Sequence, residues 1–281
     1  MKIYFGDNQF LGVNHSAGRA IDYLGKYKTA EDVAMTLRDA WAVGIREFSF
    51  TVNDKTIEAI NIVKADCPFY LHPALPYAHR VNDLILDKGL AGTVMFKIKQ
   101  FGFFRVAIAG LSALFNRNRK LLSLLVRSEL DGIPMENVRS IGLLNIATDF
   151  VLGSQRVDLL HDFHYVVSEQ FKCRTMFYTM NFSKLADSLW GRGAIDCGIV
   201  FNYNKSGFRT NPSLAAVRSS VEYYKDRETI AMSLFSGSPP DEIAGLILQV
   251  PSLSGVLFGS SRKDNIKSNY AMLCNRQINQ R

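Results

Sequence analysis

Short runs of apolar residues alternate with amphipathic stretches along almost the whole chain. Phe10 to Asn14, Glu47 to Thr51, Phe69 to Leu75, Arg139 to Asn145, Arg174 to Asn181, Asp196 to Tyr203, Thr229 to Phe235 and Gly255 to Phe258 read as eight strands. Between them the apolar positions recur at helical spacing. Ala30 to Val43 places Val33, Leu37 and Trp41 on one face and ends at Gly44, and Asp54 is expected to cap a second helix running through Val63. Further helices are expected from His79, over Thr148 to Gln170, Phe182 to Trp190, Pro212 to Tyr224 and Asp241 to Gln249. The strands are apolar on both faces, which suits a parallel sheet covered on both sides. Eight such units predict a (β/α)8 TIM barrel, one α/β domain over residues 1–281, with the doubly wound open sheet as the rival. Residues 89–134 break the rhythm and predict an extra helical insertion between strands three and four.

Charge sharpens this picture in one place. The chain of 281 residues carries a net charge of +7. Between Lys88 and Ser128 there is no acid, while Lys88, Lys97, Lys99, Arg105, Arg117, Arg119, Lys120 and Arg127 are all basic. The remainder of the chain is close to neutral. The same segment holds an aromatic helix pattern over Phe101 to Phe115, so it is expected to cover the core, close over an anionic ligand, or lie on an anionic membrane surface. It has no recognisable nucleic-acid module. Cys67, Cys173, Cys197 and Cys274 show no ligand spacing and suit free thiols in a cytoplasmic protein. The N-terminus has no apolar signal stretch.

A barrel places its chemistry at the C-terminal ends of its strands. That rule selects Asn14 and His15, Thr51 and Asn53, His72, Asn145 and Asp149, Thr179 and Asn181, Asn202, Asn204 and Lys205, Ser233 and Ser236, and Gly259, Ser260 and Ser261. The set is rich in amides and hydroxyls and has no paired carboxylates, which argues against glycosidase chemistry. His15, His72 and His79 lack metal-ligand spacing, so no metal is expected. Lys205 could form a Schiff base if buried, or bind an anion with Arg209. The turn Gly259–Ser260–Ser261, followed by Arg262 and Lys263, joins a strand to a helix. Ser261 is read as the helix N-cap, and a helix start of this kind binds phosphate.

Five stretches resemble the aldo-keto reductase superfamily. LFGSSRKDNIKSN (Leu257 to Asn269) is similar to the closing I-P-G-A-S-x-x-x-x-I/L-x-x-N pattern, and IAMSLFSG (Ile230 to Gly237) to A-Y-S-P-L-x-x-G. TMNFS (Thr179 to Ser183) is similar to G-V-S-N-F, VFNYN (Val200 to Asn204) to Q-x-x-Y-N, and GIREFSFT (Gly44 to Thr51) to G-x-R-x-x-D-T-A. The resemblance implies a barrel binding NADP, with Asn181 at the nicotinamide amide. Ser233 and Ser236 would lie under the pyrophosphate, and Gly259, Ser260, Ser261, Arg262, Asn265 and Asn269 around the adenosine phosphate. The family's catalytic Asp, Tyr, Lys and His do not carry over. Ser49 stands at the Asp position, Val52 to Asp54 offers no Tyr, the Lys has no counterpart, and the His position falls on Asn145.

The expected function is therefore a barrel enzyme binding a phosphate-bearing small molecule at strands seven and eight, in its most specific form an NADP(H) oxidoreductase. His15 and His72 are expected to supply the missing acid–base group, with Asn14 and Asn145 polarising a carbonyl or holding a water. Two rivals stay open: a lyase or aldolase on a phosphorylated substrate using Lys205 or a histidine, and a non-catalytic nucleotide-binding partner subunit.

Overall fold

The computed structural model describes residues 1–12, 23–75, 118–191, 195–236 and 240–279. Eight parallel strands close into a barrel in sequence order. They are β1 (Lys2–Phe5), β2 (Glu47–Thr51), β3 (Tyr70–Leu75), β4 (Ser140–Leu143), β5 (Arg174–Thr179), β6 (Cys197–Asn202), β7 (Glu228–Met232) and β8 (Gly255–Phe258). β1 closes the ring on β8, with Tyr4 opposite Leu257 and Phe5 opposite Phe258. This is the (β/α)8 fold the alternation predicts. Seven strands fall where the apolar runs place them.

The first does not. Phe10 and Leu11 belong to a single 3-10 turn, Asn8–Leu11, ended by Gly12 in the left-handed region (φ 72°). Phe10 is fully buried, but against the outer aromatic layer, its ring 4.9 Å from Tyr27 and 6.4 Å from Phe48. Lys2–Phe5 forms the strand instead, because its backbone pairs with both β8 and β2. Asn14 and His15 are therefore not at the end of β1. They lie outside the described residues, as does His79.

The helices start where side chains can take the first free N–H groups. In α1 (Ala30–Ala42) Thr29 and Asp32 form a reciprocal capping box. In α2 (Asp54–Val63) the cap is Asn53, not Asp54: the Asn53 side chain accepts from the Thr56 N–H at 2.9 Å. The insertion contributes α3 (Asn118–Glu129). The helical reading of Thr148 to Gln170 resolves into α4 (Asn145–Gly153), α5 (Val157–Tyr165) and a π turn, Val166–Gln170. α6 (Phe182–Ala186), α7 (Leu214–Tyr223), α8 (Pro240–Leu248) and α9 (Lys263–Asn279) complete the ring. The aromatic helix expected over Phe101 to Phe115 lies outside the described residues. Of the basic cluster, Arg119 pairs with Asp162 and lies over the Tyr165 ring, and Arg127 lies over Phe171. No helix among the described residues is long and apolar enough to cross a membrane.

Strand register sets which side chains share a level inside the barrel. Ser49 pairs with His72, Ala74 with Gly142, Gly142 with Met176, Tyr178 with Val200 and Val200 with Ile230. Because the strands tilt, each partner sits about one residue lower along the axis than its neighbour. Tyr4, His72, Met176 and Ile230 thus form a middle tier, with Glu47 and Ser140 beneath it. Gly6, Ala74, Tyr178 and Met232 form an upper tier, and Thr51, Asn202 and Gly259 reach the rim. The lumen is packed: Tyr4, Ala74, Met176, Tyr178, Val200 and Ile230 form their own apolar cluster, separate from the core between strands and helices. Glycines accept the large rings. A Cβ on Gly255 would stand 2.8 Å from the Tyr4 ring, and one on Gly142 2.7 Å from the Tyr178 ring.

Candidate active site

The tiers divide the lumen's polar groups into two sets. The lower set is built on His72. Its Nδ1 lies 2.7 Å from Ser140 Oγ and its Nε2 2.7 Å from Glu47 Oε2. The ring meets Tyr4 edge-on at 5.0 Å. Burial, with the carboxylates of Glu228 and Glu47, pushes the Tyr4 phenol upward. Arg174 pairs with Glu228 and with Asp196 nearby. His72 therefore sits in mid-strand, and both its ring nitrogens are engaged by residues that open β2 and β4, on the side away from the mouth. β3 runs on to Ala74 and Leu75, so His72 is not the strand-end residue that the sequence rule selects.

The upper set was not anticipated. Tyr178 points inward from β5 and lies across the lumen over Gly142, where no Cβ obstructs it. Its hydroxyl reaches Ser49 Oγ on β2 at 2.5 Å. Asp7 follows β1, and its Oδ2 accepts the Thr51 N–H at 2.7 Å. Both Asp7 and Tyr178 are buried. Burial raises the Asp7 carboxyl to about 7, against the lowering effect of the Thr51 hydrogen bonds. Burial also raises the Tyr178 phenol to about 12, opposed by the Ser49 bond and increased by the Asp7 charge. A phenol and an alcohol thus share a hydrogen bond across the lumen, and a buried carboxyl is held on the Thr51 N–H, two residues beyond Ser49 on β2. The signal was present in the sequence: Asp7 follows the alternating run KIYFG, and Tyr178 falls two residues after Met176 on the inward phase of β5.

At the rim, Asn202 closes β6 and accepts the Ser233 hydroxyl at 2.7 Å, with Ser233 in the left-handed region (φ 64°). Ser236 follows in the same turn, its N–H on the Ser233 carbonyl. Asn181, half-buried, opens α6, and its N–H donates to Thr179 Oγ1. Asp149 from α4 takes the Thr179 hydroxyl and the Met180 N–H. Asn145 opens α4 directly after β4. Asn204 is wholly buried and holds its own loop, accepting from Ser206 and Phe208. Lys205 is exposed, its ammonium 2.6 Å from Glu242 on α8. A Schiff-base lysine has to be desolvated, and this one is not.

The β8–α9 turn has the expected course, but the helix starts one residue later than expected and the serine bond lies before it. α9 begins at Lys263, and Ser260 Oγ, not Ser261, accepts the Arg262 N–H at 3.3 Å. A Cβ on Gly259 would stand 2.2 Å from Gln9 Oε1 and 3.2 Å from the Gly6 carbonyl. Gly259 is thus required by the packing of the β1 end beneath it. Lys26 donates to the Ser261 carbonyl and Lys263 pairs with Asp39 at 2.8 Å, while the Arg262 side chain is exposed. Asn265 is exposed and Asn269 half-buried on α9. Among the described residues no group of three His, Cys, Asp or Glu side chains is placed to hold a metal ion.

No protein-family model matches the chain, and no curated protein matches it. Two solved structures from Pseudomonas aeruginosa, each described as a "putative aldo-keto reductase", superpose with TM-scores of 0.59 and 0.58. Each is 11% identical in sequence, and the match covers 97% of this chain and 89% of theirs. Across such sequence distance the likeness establishes fold. The chain carries the same eight-stranded barrel as these aldo-keto-reductase-like structures.

Proposed function

We propose that the protein is an NADP(H)-dependent oxidoreductase that binds its cofactor along the ends of β5 to β8 and reduces a small carbonyl compound at the barrel mouth. One observation carries the reading. Asn181, the Asn202–Ser233 pair and the Ser260 turn place amide and hydroxyl groups at the ends of the consecutive strands β5 to β8, and α9 starts after that turn, with Arg262 before it and Lys26 bonded to the Ser261 carbonyl. That donor set suits an elongated ligand with an uncharged amide at one end and phosphate at the other. Asn181 would hold the amide, Ser233 and Ser236 would face the pyrophosphate, and Ser260, Ser261, Arg262, Asn265 and Asn269 the adenosine phosphate. When bound, the cofactor supplies the hydride. The chain supplies orientation, a dry lumen below the mouth and the proton.

Fluorescence titration of the full chain with NADPH, NADH and a panel of sugar phosphates tests this. Saturable NADPH binding, weakened several-fold by Asn181→Ala on the scale of one lost hydrogen bond, is the expected result. If neither nicotinamide cofactor binds at millimolar concentration while a sugar phosphate saturates, the reading fails and chemistry on a phosphorylated substrate replaces it.

A further inference from the structure

We propose that Asp7, Tyr178 and Ser49 form the acid–base centre of this barrel. The Asp7 carboxyl exchanges a proton with the reacting oxygen, and the Tyr178–Ser49 hydroxyl pair orients that oxygen. The reaction assigned to the centre rests on the carbonyl-reduction reading above, whereas the residues are assigned from geometry.

Three elements far apart in sequence bring these groups together. Ser49 and Tyr178 project into the lumen from β2 and β5 and share a 2.5 Å hydrogen bond across it. Asp7 follows the end of β1, and its carboxyl is fixed by the Thr51 N–H, two residues beyond Ser49 on β2. Apolar side chains, Met232 and Leu257 among them, pack around the lumen cluster. Two hydroxyls sharing one hydrogen bond leave a second proton and further lone pairs for a ligand. A backbone N–H could be capped as well by Asn or Ser, so an acid in this place needs a further reason. The groups that face Asp7 are the Thr51 N–H and hydroxyl, with Tyr178 close enough for its phenol to respond to the Asp7 charge. Among the described residues no charged side chain offsets the burial of Asp7. A carboxyl in that position exchanges its proton near neutral pH, the range in which a general acid and base works best.

A bound dihydronicotinamide would supply the hydride with its electron pair to the carbonyl carbon and would itself be oxidised to the nicotinamide. The C=O π pair moves to oxygen. The Asp7 O–H bond breaks and its proton passes to that oxygen, giving the alcohol and the Asp7 carboxylate, which water then reprotonates. The reverse sequence oxidises an alcohol, with Asp7 as the base.

The full chain, labelled with 13C at its aspartate carboxyls and titrated by NMR from about pH 4 to 9, tests the assignment without substrate or cofactor. One aspartate titrating close to neutrality, absent from Asp7→Asn, is expected. All aspartates titrating in the acid range would overturn the proposal, and this measurement needs no variant to fold. In turnover of NADPH with a panel of aldehydes and ketones, Asp7→Asn should reduce the rate at least about 10²-fold with NADPH affinity retained. Tyr178→Phe and Ser49→Ala should each raise KM and lower kcat. Wild-type turnover in Asp7→Asn would also overturn the assignment. NADPH failing to bind while one aspartate still titrates near neutrality would instead remove the cofactor reading and leave the acid–base centre standing.

Discussion

Asp7→Asn should make this protein more stable at neutral pH, and the size of the effect follows from the structure. Asn keeps an oxygen for the Thr51 N–H, so the 2.7 Å contact survives. What disappears is the ionisation. In the fold the carboxyl titrates at about 7, against an ordinary value of 3.8. The folded value is raised, so between about pH 4 and 7 the folded protein holds a proton that the unfolded chain has released. Stability then falls as pH rises through this window. The separation is about 3 pH units at 1.36 kcal/mol each, or about 4 kcal/mol in total. Below about pH 4 both states are protonated and the variant should resemble the wild type. By about pH 8 the wild type has lost the full amount and the variant none. Urea denaturation of both proteins at matched ionic strength over this range measures the difference directly, because all other titrating groups are common to both. A difference that stays constant to within about 1 kcal/mol would refute the reasoning and return Asp7 to the role of a plain backbone cap.

His72→Ala should destabilise by on the order of 2–4 kcal/mol in denaturation, because it strands Glu47 and Ser140 in the lumen without the imidazole between them. Lost turnover with unchanged stability would instead restore His72 to the chemistry. Gly142→Ala places a methyl 2.7 Å from the Tyr178 ring; a loss of about 1–3 kcal/mol is expected in thermal melts, with the Tyr178–Ser49 contact displaced. Lys205→Ala removes an exposed ion pair with Glu242 and should change stability by no more than about 0.5 kcal/mol and leave turnover intact; abolished turnover in a folded Lys205→Ala protein would favour covalent chemistry.

The alternation of apolar runs and helical stretches made the barrel legible, because each strand from β2 to β8 is a short apolar segment bounded by turn residues. β1 was misplaced for a physical reason. KIYF is less apolar than FLGV, and nothing local to either says which one pairs with β8. The decision is made by the backbone ladder to Gly255–Phe258, a contact spanning nearly the whole chain. That one displacement changes which residues the strand-end rule selects. Putting the strand at Phe10 pointed to Asn14 and His15 and passed over Asp7. His72 was misjudged differently. In a strand buried on both faces, neither the inward phase nor the height along the axis can be read from an apolar run. Register alone shows that the His72 ring faces Glu47 and Ser140 below it. The rim residues of β5 to β8 were legible because small polar residues directly follow apolar runs there, which marks strand ends whatever the register.

The two polar sets in the lumen also bear on how a barrel can keep its architecture while its chemistry moves. Where the aldo-keto reductase pattern has an Asp on β2, this chain has Ser49, and an uncharged hydroxyl at an inward position in mid-barrel cannot by itself donate a proton at useful strength. The structure joins it to Tyr178, a phenol that fits across the lumen only because Gly142 has no side chain. A carboxyl, Asp7, follows the end of β1 and is held on the Thr51 N–H of β2. Asp7, Ser49 and Gly142 occupy different strands, yet each makes sense only in the presence of the others. Gly142 without Tyr178 would leave a void, Tyr178 without Ser49 would bury an unpaired hydroxyl, and Asp7 away from the mouth would bear the cost of burial to no purpose. Structural polar groups inside a barrel tend toward complete pairing, as His72 achieves with Glu47 and Ser140. In the upper set the Tyr178–Ser49 pair keeps a hydroxyl proton and lone pairs for a further partner, and burial raises the Asp7 carboxyl held on Thr51; that difference is the physical reason to look for the chemistry there.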